Sequence, residues 1–320
     1  MLNEITLFIT KECNMNCDYC TQENNKDSID DNESLELTIK TIESLIKDKK
    51  LSSKTSWHFF GGEPTLKFDK MLKLYKYLKT QGFKNFKLFT NGLIKESFLD
   101  HIPNDIMISI SYDGLSQKNR SSKDRDKIIN NIKYLITKNN FEKINFIYDE
   151  FLLKNYFFIS DLLKIPEWKI THSLNRNFYW WTPERIEKYL TEFNALAEYN
   201  FFANIYRKNK DIEDIYFMYF QNIFNQSKRS ILGCGLKDSR ISIYPDGSIK
   251  NCGIRSFNED DYVSQKEIES FCKNCEAYKF CDKKCPIEMK KFPELFQYSF
   301  CEIKINEIKT LEKYFKKELK

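Results

Sequence analysis

Several things are missing from these 320 residues, and each absence narrows the reading. No stretch approaches 18 consecutive apolar residues, so the sequence predicts no membrane-spanning helix. The start, MLNEITLFITKEC, has no basic segment followed by a long apolar run, so it does not read as a signal peptide. Without either, the expected location is the cytoplasm, where thiols stay reduced and structural disulfides are rare. No basic block or stripe stands out. The net charge of +5 comes from Lys scattered among Asp and Glu, as on a solvated surface, so no nucleic-acid partner is expected. The strongest basic cluster, at Lys283 and Lys284, lies among cysteines. No internal repeat or low-complexity tract appears.

What is present is an ordinary globular composition, 41% apolar and 15% aromatic, long enough to bury a core. It holds ten cysteines. In a reducing compartment that number points to metal more than to disulfides.

The first half alternates strands and helices. Strands are expected at 4–10, 55–60, 86–90, 106–114, 144–148 and 168–174. Helices are expected at 33–50, 67–82 and 124–139, with a weaker one before 168. Six strands with intervening helices predict a parallel sheet with crossovers, an α/β barrel or partial barrel. Thr182 followed by Pro183 predicts a helix start, and a second helix is expected near 211–225. Residues 240–252 read as a β-hairpin around Pro245-Asp246-Gly247. From 252 to 301 regular structure is sparse and cysteine frequent. A domain boundary is expected between 178 and 228.

Cys13, Cys17 and Cys20 follow the first strand with spacing x3 and x2. Three thiolates within eight residues can hold three corners of a [4Fe–4S] cluster and leave the fourth iron open to a substrate's amino and carboxylate groups. Zinc is the competing reading, but this loop offers no fourth Cys or His. With Tyr19 before the last cysteine, the loop resembles the CxxxCx(aromatic)C loop of radical S-adenosylmethionine enzymes. The resemblance continues in Gly61-Gly62-Glu63-Pro64 after a strand, similar to that family's GGEP motif, and in Asn91-Gly92, Ser111, Asp113 and Arg120. It implies that the GGEP segment receives the methionine amino group. Ser111 would then face the ribose, and Arg120 would approach the carboxylate of S-adenosylmethionine. A carboxylate after a glycine turn at a strand's C-terminal end suits an ammonium. The family's first step is implied too: one electron from the cluster breaks the sulfonium bond, and the resulting 5′-deoxyadenosyl radical takes a hydrogen atom from the substrate.

The other seven cysteines read Cys234-x12-Gly247-x4-Cys252, then Cys272-x2-Cys275-x5-Cys281-x3-Cys285, then Cys301. Seven ligands fit one zinc poorly and two clusters well. The pattern resembles the seven-cysteine SPASM extension of the same family. The resemblance implies a distal cluster on Cys272, Cys275, Cys281 and Cys301 and a nearer one on Cys234, Cys252 and Cys285. Residues 225–233 hold no extra cysteine, so the nearer cluster would have an open iron. Three clusters then use all ten cysteines and leave no free thiol.

The implied architecture is a partial (β/α)6 TIM-type barrel with a small cysteine-rich SPASM domain made of a β-hairpin and short helices. It runs as a barrel over 1–178, a helical bridge over 179–228, the SPASM domain over 229–305 and a C-terminal helix over 306–320. The implied function is oxidative maturation of a ribosomally made peptide through a thioether or carbon–carbon crosslink, with S-adenosylmethionine and three [4Fe–4S] clusters. The nearer auxiliary cluster would take the electron of the product radical. Partners would be the peptide and an electron donor such as flavodoxin or ferredoxin. Because the chain starts close to Cys13, leader recognition is expected from a separate leader-binding protein or from the surface. The aromatic run Phe178-Tyr179-Trp180-Trp181 is either a substrate contact or packing. Alternatives are a formylglycine-forming sulfatase maturase, disfavoured by Gly253 after Cys252 where those relatives place a catalytic Asp, a small-molecule (sugar or amino acid) dehydrogenase, and a non-catalytic electron carrier.

Overall fold

The computed structural model describes residues 1–20, 22, 29–120, 124–175, 178–207, 239–250, 270, 272–275 and 300–315. The helix expected near 211–225 lies outside them. The chain divides into two compact units, the first formed by 1–146 with 235–257, the second by 147–234 with 258–320.

Most parallel strands of the first unit alternate buried apolar residues with more exposed, often polar ones, so that one face carries the core. In chain order its elements are β1 (Glu4–Thr10), α1 (Asp31–Lys47), β2 (Ser56–Gly61), α2 (Phe68–Thr80), β3 (Asn85–Thr90), α3 (Glu96–Leu99), β4 (Ile106–Ser111), α4 (Arg125–Ile136) and β5 (Phe141–Tyr148). The chain passes into the second unit within β5 and returns as the hairpin β7 (Arg240–Ile243) and β8 (Ile249–Lys250). The strands lie in the order β5-β4-β3-β2-β1-β7-β8. All neighbours are parallel except β7 and β8. Ile5, Trp57, Phe59, Leu88, Ile108 and Ile144 are fully buried along the sheet. Met71 and Leu78 of α2 and Ile128 and Ile132 of α4 are buried to the same degree.

Local chemistry sets the element ends. Asp30 caps α1 by accepting the Asn32 N–H at 2.8 Å, which starts the helix two residues before its apolar pattern. The expected strand 106–114 stops at Ser111, because Asp113 and Gly114 open a tight helical turn over Gly114–Asn119. The hairpin turn is seated on α1: Ser34 Oγ donates to Pro245 O at 2.6 Å and Thr41 Oγ1 to Gly247 O at 2.8 Å. Lys70 Nζ, buried beneath, donates to Ser34 Oγ at 2.6 Å and to Ile9 O at 2.7 Å.

The second unit contains α5 (Leu153–Leu163), β6 (Ile170–Leu174), α6 (Pro183–Arg207) and α7 (Glu302–Phe315). Thr182 accepts the Arg185 N–H at the start of α6, where Pro183 needs no partner. Its core is aromatic and polar together. Trp181 stacks on Tyr148, with ring centroids 5.8 Å apart, and meets Phe300 edge-on. Tyr156 and Tyr189 hydroxyls flank the His172 ring at 3.0 Å each, and Tyr189 donates to Glu307 at 2.5 Å. Of the aromatic run, Trp181 is thus packed at 4% exposure, whereas Tyr179 is 76% exposed. Among the described residues no helix is long and apolar enough to cross a membrane.

Candidate active site

Four parallel strands end at one edge of the first unit's sheet, at Thr10, Gly61, Thr90 and Ser111. Ligands gather at this end of α/β sheets because the loops and free backbone groups lie there. The cysteine loop leaves β1 across the end of β2. Gly62 N–H donates to Thr10 O at 2.9 Å and Glu63 N–H to Glu12 O at 2.8 Å. A Cβ on Gly62 would lie 2.1 Å from Glu12 O, and one on Gly61, which has φ +135°, would lie 2.2 Å from Thr10 O. The two glycines therefore let the base of the cysteine loop rest directly on the GGEP segment.

Glu63 follows them and is 1% exposed. It caps the short helical turn Pro64–Lys67, with Pro64 at the first position. Its Oε1 accepts Thr65 N–H at 3.1 Å, Thr65 Oγ1 at 2.6 Å and Thr90 Oγ1 at 2.9 Å. Its Oε2 accepts Asn91 N–H at 2.7 Å. Burial pushes its carboxyl above the usual 4.5, and these bonds work against that shift. One carboxylate thus ties the ends of β2 and β3 together, and Oε2 keeps a second acceptor position.

Asn91 carries the link to the cysteine loop. Its Nδ2 donates to Asn14 Oδ1 at 2.7 Å and lies 3.8 Å from Cys13 Sγ, while its Oδ1 accepts Leu93 N–H at 2.9 Å. Asn14 Nδ2 returns a bond to Leu93 O at 3.0 Å. Tyr19 reaches the end of β4, where its hydroxyl donates to Asp113 Oδ2. Arg120 Nη1 meets the other oxygen of Asp113 at 3.4 Å. Burial opposes the charge of Arg120, yet Asp113, Tyr19 and Cys17 together hold its pKa above the ordinary value. Ser111, the last residue of β4, is half-buried.

Cys13, Cys17 and Cys20 in this loop form no disulfide. Burial raises the Cys13 thiol and takes Cys17 up to about 11, and each feels the charge of its neighbours in the loop. Among the described residues no three His, Cys, Asp or Glu converge on a single ion-sized position. A cluster asks for something looser, since each thiolate takes a different iron. The donor set suits that group. A further sign of fit is the buried Arg120 Nε, which has no partner among the described residues.

Comparison with known proteins gives a family match in the first half of the chain. Residues 7–148 match the model of the radical SAM superfamily, in which SAM is S-adenosylmethionine. Residues 7–148 form a radical SAM domain. The radical SAM cyclopropyl synthase TigE of Paramaledivibacter caminithermalis is 25% identical over 334 aligned residues, 89% of this chain and 68% of TigE. A Methanocaldococcus jannaschii protein named as a glycyl-radical enzyme activating enzyme is 38% identical over 113 residues. The match covers 31% of this chain and only 29% of that relative. Among solved structures, anSMEcpe with bound AdoMet and Cp18Cys peptide aligns with TM-score 0.64 at 18% identity, covering 97% of this chain and 99% of that one. Streptococcus suis SuiB bound to precursor peptide SuiA aligns with TM-score 0.59 at 19% identity, covering 92% and 74%. At these identities the two show a shared fold, that of a parallel α/β partial barrel.

The seven cysteines after residue 148 are described only in part. Cys272 is buried, and Cys275 N–H donates to Cys272 O at 3.0 Å, closing a turn between them. Cys301 is half-buried immediately before α7. Cys234, Cys252, Cys281 and Cys285 lie outside the described residues. Thr65, Thr90 and Asn14 escaped the sequence reading although they hold the motif residues in place. A threonine closing a strand just before Asn-Gly was the one available cue.

Proposed function

We propose that this chain is a radical SAM enzyme of the SPASM type that oxidatively modifies a ribosomally made peptide, through a thioether or carbon–carbon crosslink. The observation that carries the reading is the seating of the Cys13–Cys20 loop on Asn91, Glu63 and Asp113 at one sheet edge. In it Cys13, Cys17 and Cys20 hold a [4Fe–4S] cluster, which when reduced supplies the electron that opens S-adenosylmethionine to a 5′-deoxyadenosyl radical. Gly61, Gly62 and Pro64 shape the edge. Glu63 offers its remaining Oε2 position to the substrate ammonium. Arg120, held by Asp113 and Tyr19, faces the carboxylate, and Ser111 the ribose.

The same proposal gives Cys272, Cys275, Cys281 and Cys301 to a distal auxiliary cluster and Cys234, Cys252 and Cys285 to a nearer one. Its domains are a barrel over 1–178, a bridge over 179–228, the auxiliary domain over 229–305 and a last helix over 306–320. A peptide partner is supported by the fold shared with two enzymes solved in peptide complexes. A flavodoxin or ferredoxin would donate electrons, a separate leader-binding protein would present the peptide, and the setting would be the cytoplasm.

TigE, aligned over 89% of this chain, favours carbon–carbon ring closure as a second reading. Both readings remove two hydrogens from the substrate, one as a hydrogen atom taken up into 5′-deoxyadenosine and one as a proton, whose electron the nearer auxiliary cluster would accept. Anaerobic co-expression with a precursor peptide, followed by mass spectrometry, tests them: the expected product is lighter by two hydrogens, with one 5′-deoxyadenosine per modification. Proton spectra of the product then separate a crosslink from a three-membered ring. A product of unchanged mass carrying deuterium at an α-carbon after reaction in heavy water would show epimerisation and overturn both.

A further inference from the structure

Gln117 is 2% exposed, on the short helical turn after Asp113. Its Oε1 accepts the Asp113 backbone N–H at 2.9 Å. A backbone N–H only donates, so the orientation of this amide is fixed and its Nε2 is directed away from Asp113 N. That Nε2 is buried and has no acceptor among the described residues. An unpaired buried donor is costly, and native proteins keep one mainly where something else pairs with it. Arg120, three residues on, donates its N–H to Gln117 O at 3.0 Å, and its buried Nε is likewise without a partner. Side chains at i and i+3 of such a tight turn eclipse, so the two donors share one face. They differ in what already fixes them. Arg120 Nη1 is held by Asp113, and Gln117 Oε1 by the same residue's N–H. Asp113 therefore sets both side chains and leaves Nε and Nε2 to act together.

We propose that Gln117 is a specificity-determining residue that donates, beside Arg120, to the carboxylate at the amino-acid end of S-adenosylmethionine. Two N–H donors on one face, one of them on a cation, suit the two oxygens of a carboxylate, whereas a ribose hydroxyl would use one of them. The inference rests on the S-adenosylmethionine reading of this site and adds to it a residue outside the motifs. It also gives the Gln117–Asp113 bond a purpose: it holds the amide ready before the ligand arrives.

The test is calorimetric titration of the iron-loaded protein with two probes, S-adenosylhomocysteine, which carries the amino-acid end, and 5′-methylthioadenosine, which lacks it. Gln117→Glu keeps the acceptor for Asp113 N–H and loses the donors; Gln117→Met loses both without adding charge. Iron content and circular dichroism serve as fold controls, and Gln117→Glu decides if Gln117→Met fails them. Both variants are expected to bind S-adenosylhomocysteine at least about tenfold more weakly, as for loss of a hydrogen bond to a charged group, with methylthioadenosine binding unchanged. Equal loss for both probes would place Gln117 on the nucleoside and overturn the carboxylate assignment, as would no loss for either. If the unaltered protein binds neither probe, the S-adenosylmethionine reading itself falls.

Discussion

Glu63 Oε2 accepts the backbone N–H of Asn91 at 2.7 Å, which joins the ends of two neighbouring strands through one buried carboxylate. Asn91 in turn holds Asn14 in the cysteine loop, so a change at Glu63 reaches that loop through two hydrogen bonds. Four donors converge on this carboxylate, and a Gln in its place must turn an NH2 toward some of them. Glu63→Gln should lower stability by about 1–3 kcal/mol, the usual cost of leaving buried donors unpaired. It should also weaken S-adenosylmethionine binding. Thermal melting and calorimetry read the two effects separately. An unchanged melting temperature would mean that the four bonds do not matter to the fold.

Changing Cys13, Cys17 and Cys20 together to Ala should reduce reconstituted iron from about twelve to about eight per chain, since each cluster holds four. Formation of 5′-deoxyadenosine should cease. Iron analysis and chromatography of the quenched reaction provide the check, and a triple variant that still cleaves S-adenosylmethionine would refute the assignment.

Tyr19→Phe removes the hydroxyl that donates to Asp113 and leaves Arg120 facing that carboxylate at 3.4 Å. Asp113 is fully buried, so the loss should destabilise the protein by about 1–3 kcal/mol. Iron loading should persist, because the thiols are intact. Denaturant titration beside iron analysis tests this. A drop in iron equal to that of the triple cysteine variant would make Tyr19 part of the cluster site.

Glu4 sits between His58, at 3.3 Å, and Arg240, at 3.0 Å. Burial pushes its carboxyl up, but the His58 bond and the charges of His58 and Arg240 outweigh this and hold it below the usual 4.5. A carboxylate with a depressed folded pKa gives stability above its unfolded value that is lost as pH falls through the folded one. The melting-temperature advantage of the protein over Glu4→Gln should therefore be full near pH 6 and shrink as the pH drops below 4.5. An advantage that grew on acidification would contradict the pairing with Arg240.

The six early strands were readable because each is a short stretch holding β-branched or aromatic residues, and the parallel α/β reading followed from their alternation with helices. Motif residues were equally readable, since Cys13–Cys20, Gly61–Pro64 and Asn91 each sit at a strand end. The strand at 106–114 was read too long because Tyr112 continues its strand-like pattern, whereas the folded strand ends at Ser111 and Tyr112 and Asp113 are buried in the loop beyond it. Their burial comes from the site, and burial alone does not separate a strand from the loop it feeds. Thr65, Thr90 and Gln117 carry no motif. They act by holding Glu63 and Asp113, a relation that exists only once the chain is folded. The hairpin at 240–250 was readable as a hairpin from its Pro-Asp-Gly turn. Its parallel pairing with β1, Ile5 opposite Ile241 and Leu7 opposite Ile243, joins residues too far apart in the chain for any local pattern to show.

That pairing has a consequence for biosynthesis. β1 is made first, yet one of its edges waits for a strand that emerges from the ribosome only after Arg240. Until then an apolar strand offers unpaired N–H and C=O groups, the kind of edge that recruits other chains. Because non-local parallel pairing forms slowly, the nascent protein spends that interval exposed to aggregation. A fragment stopped before residue 240 would keep this open edge permanently, so shortening the chain from its C-terminal end should yield insoluble protein even when every residue of the cysteine loop is intact.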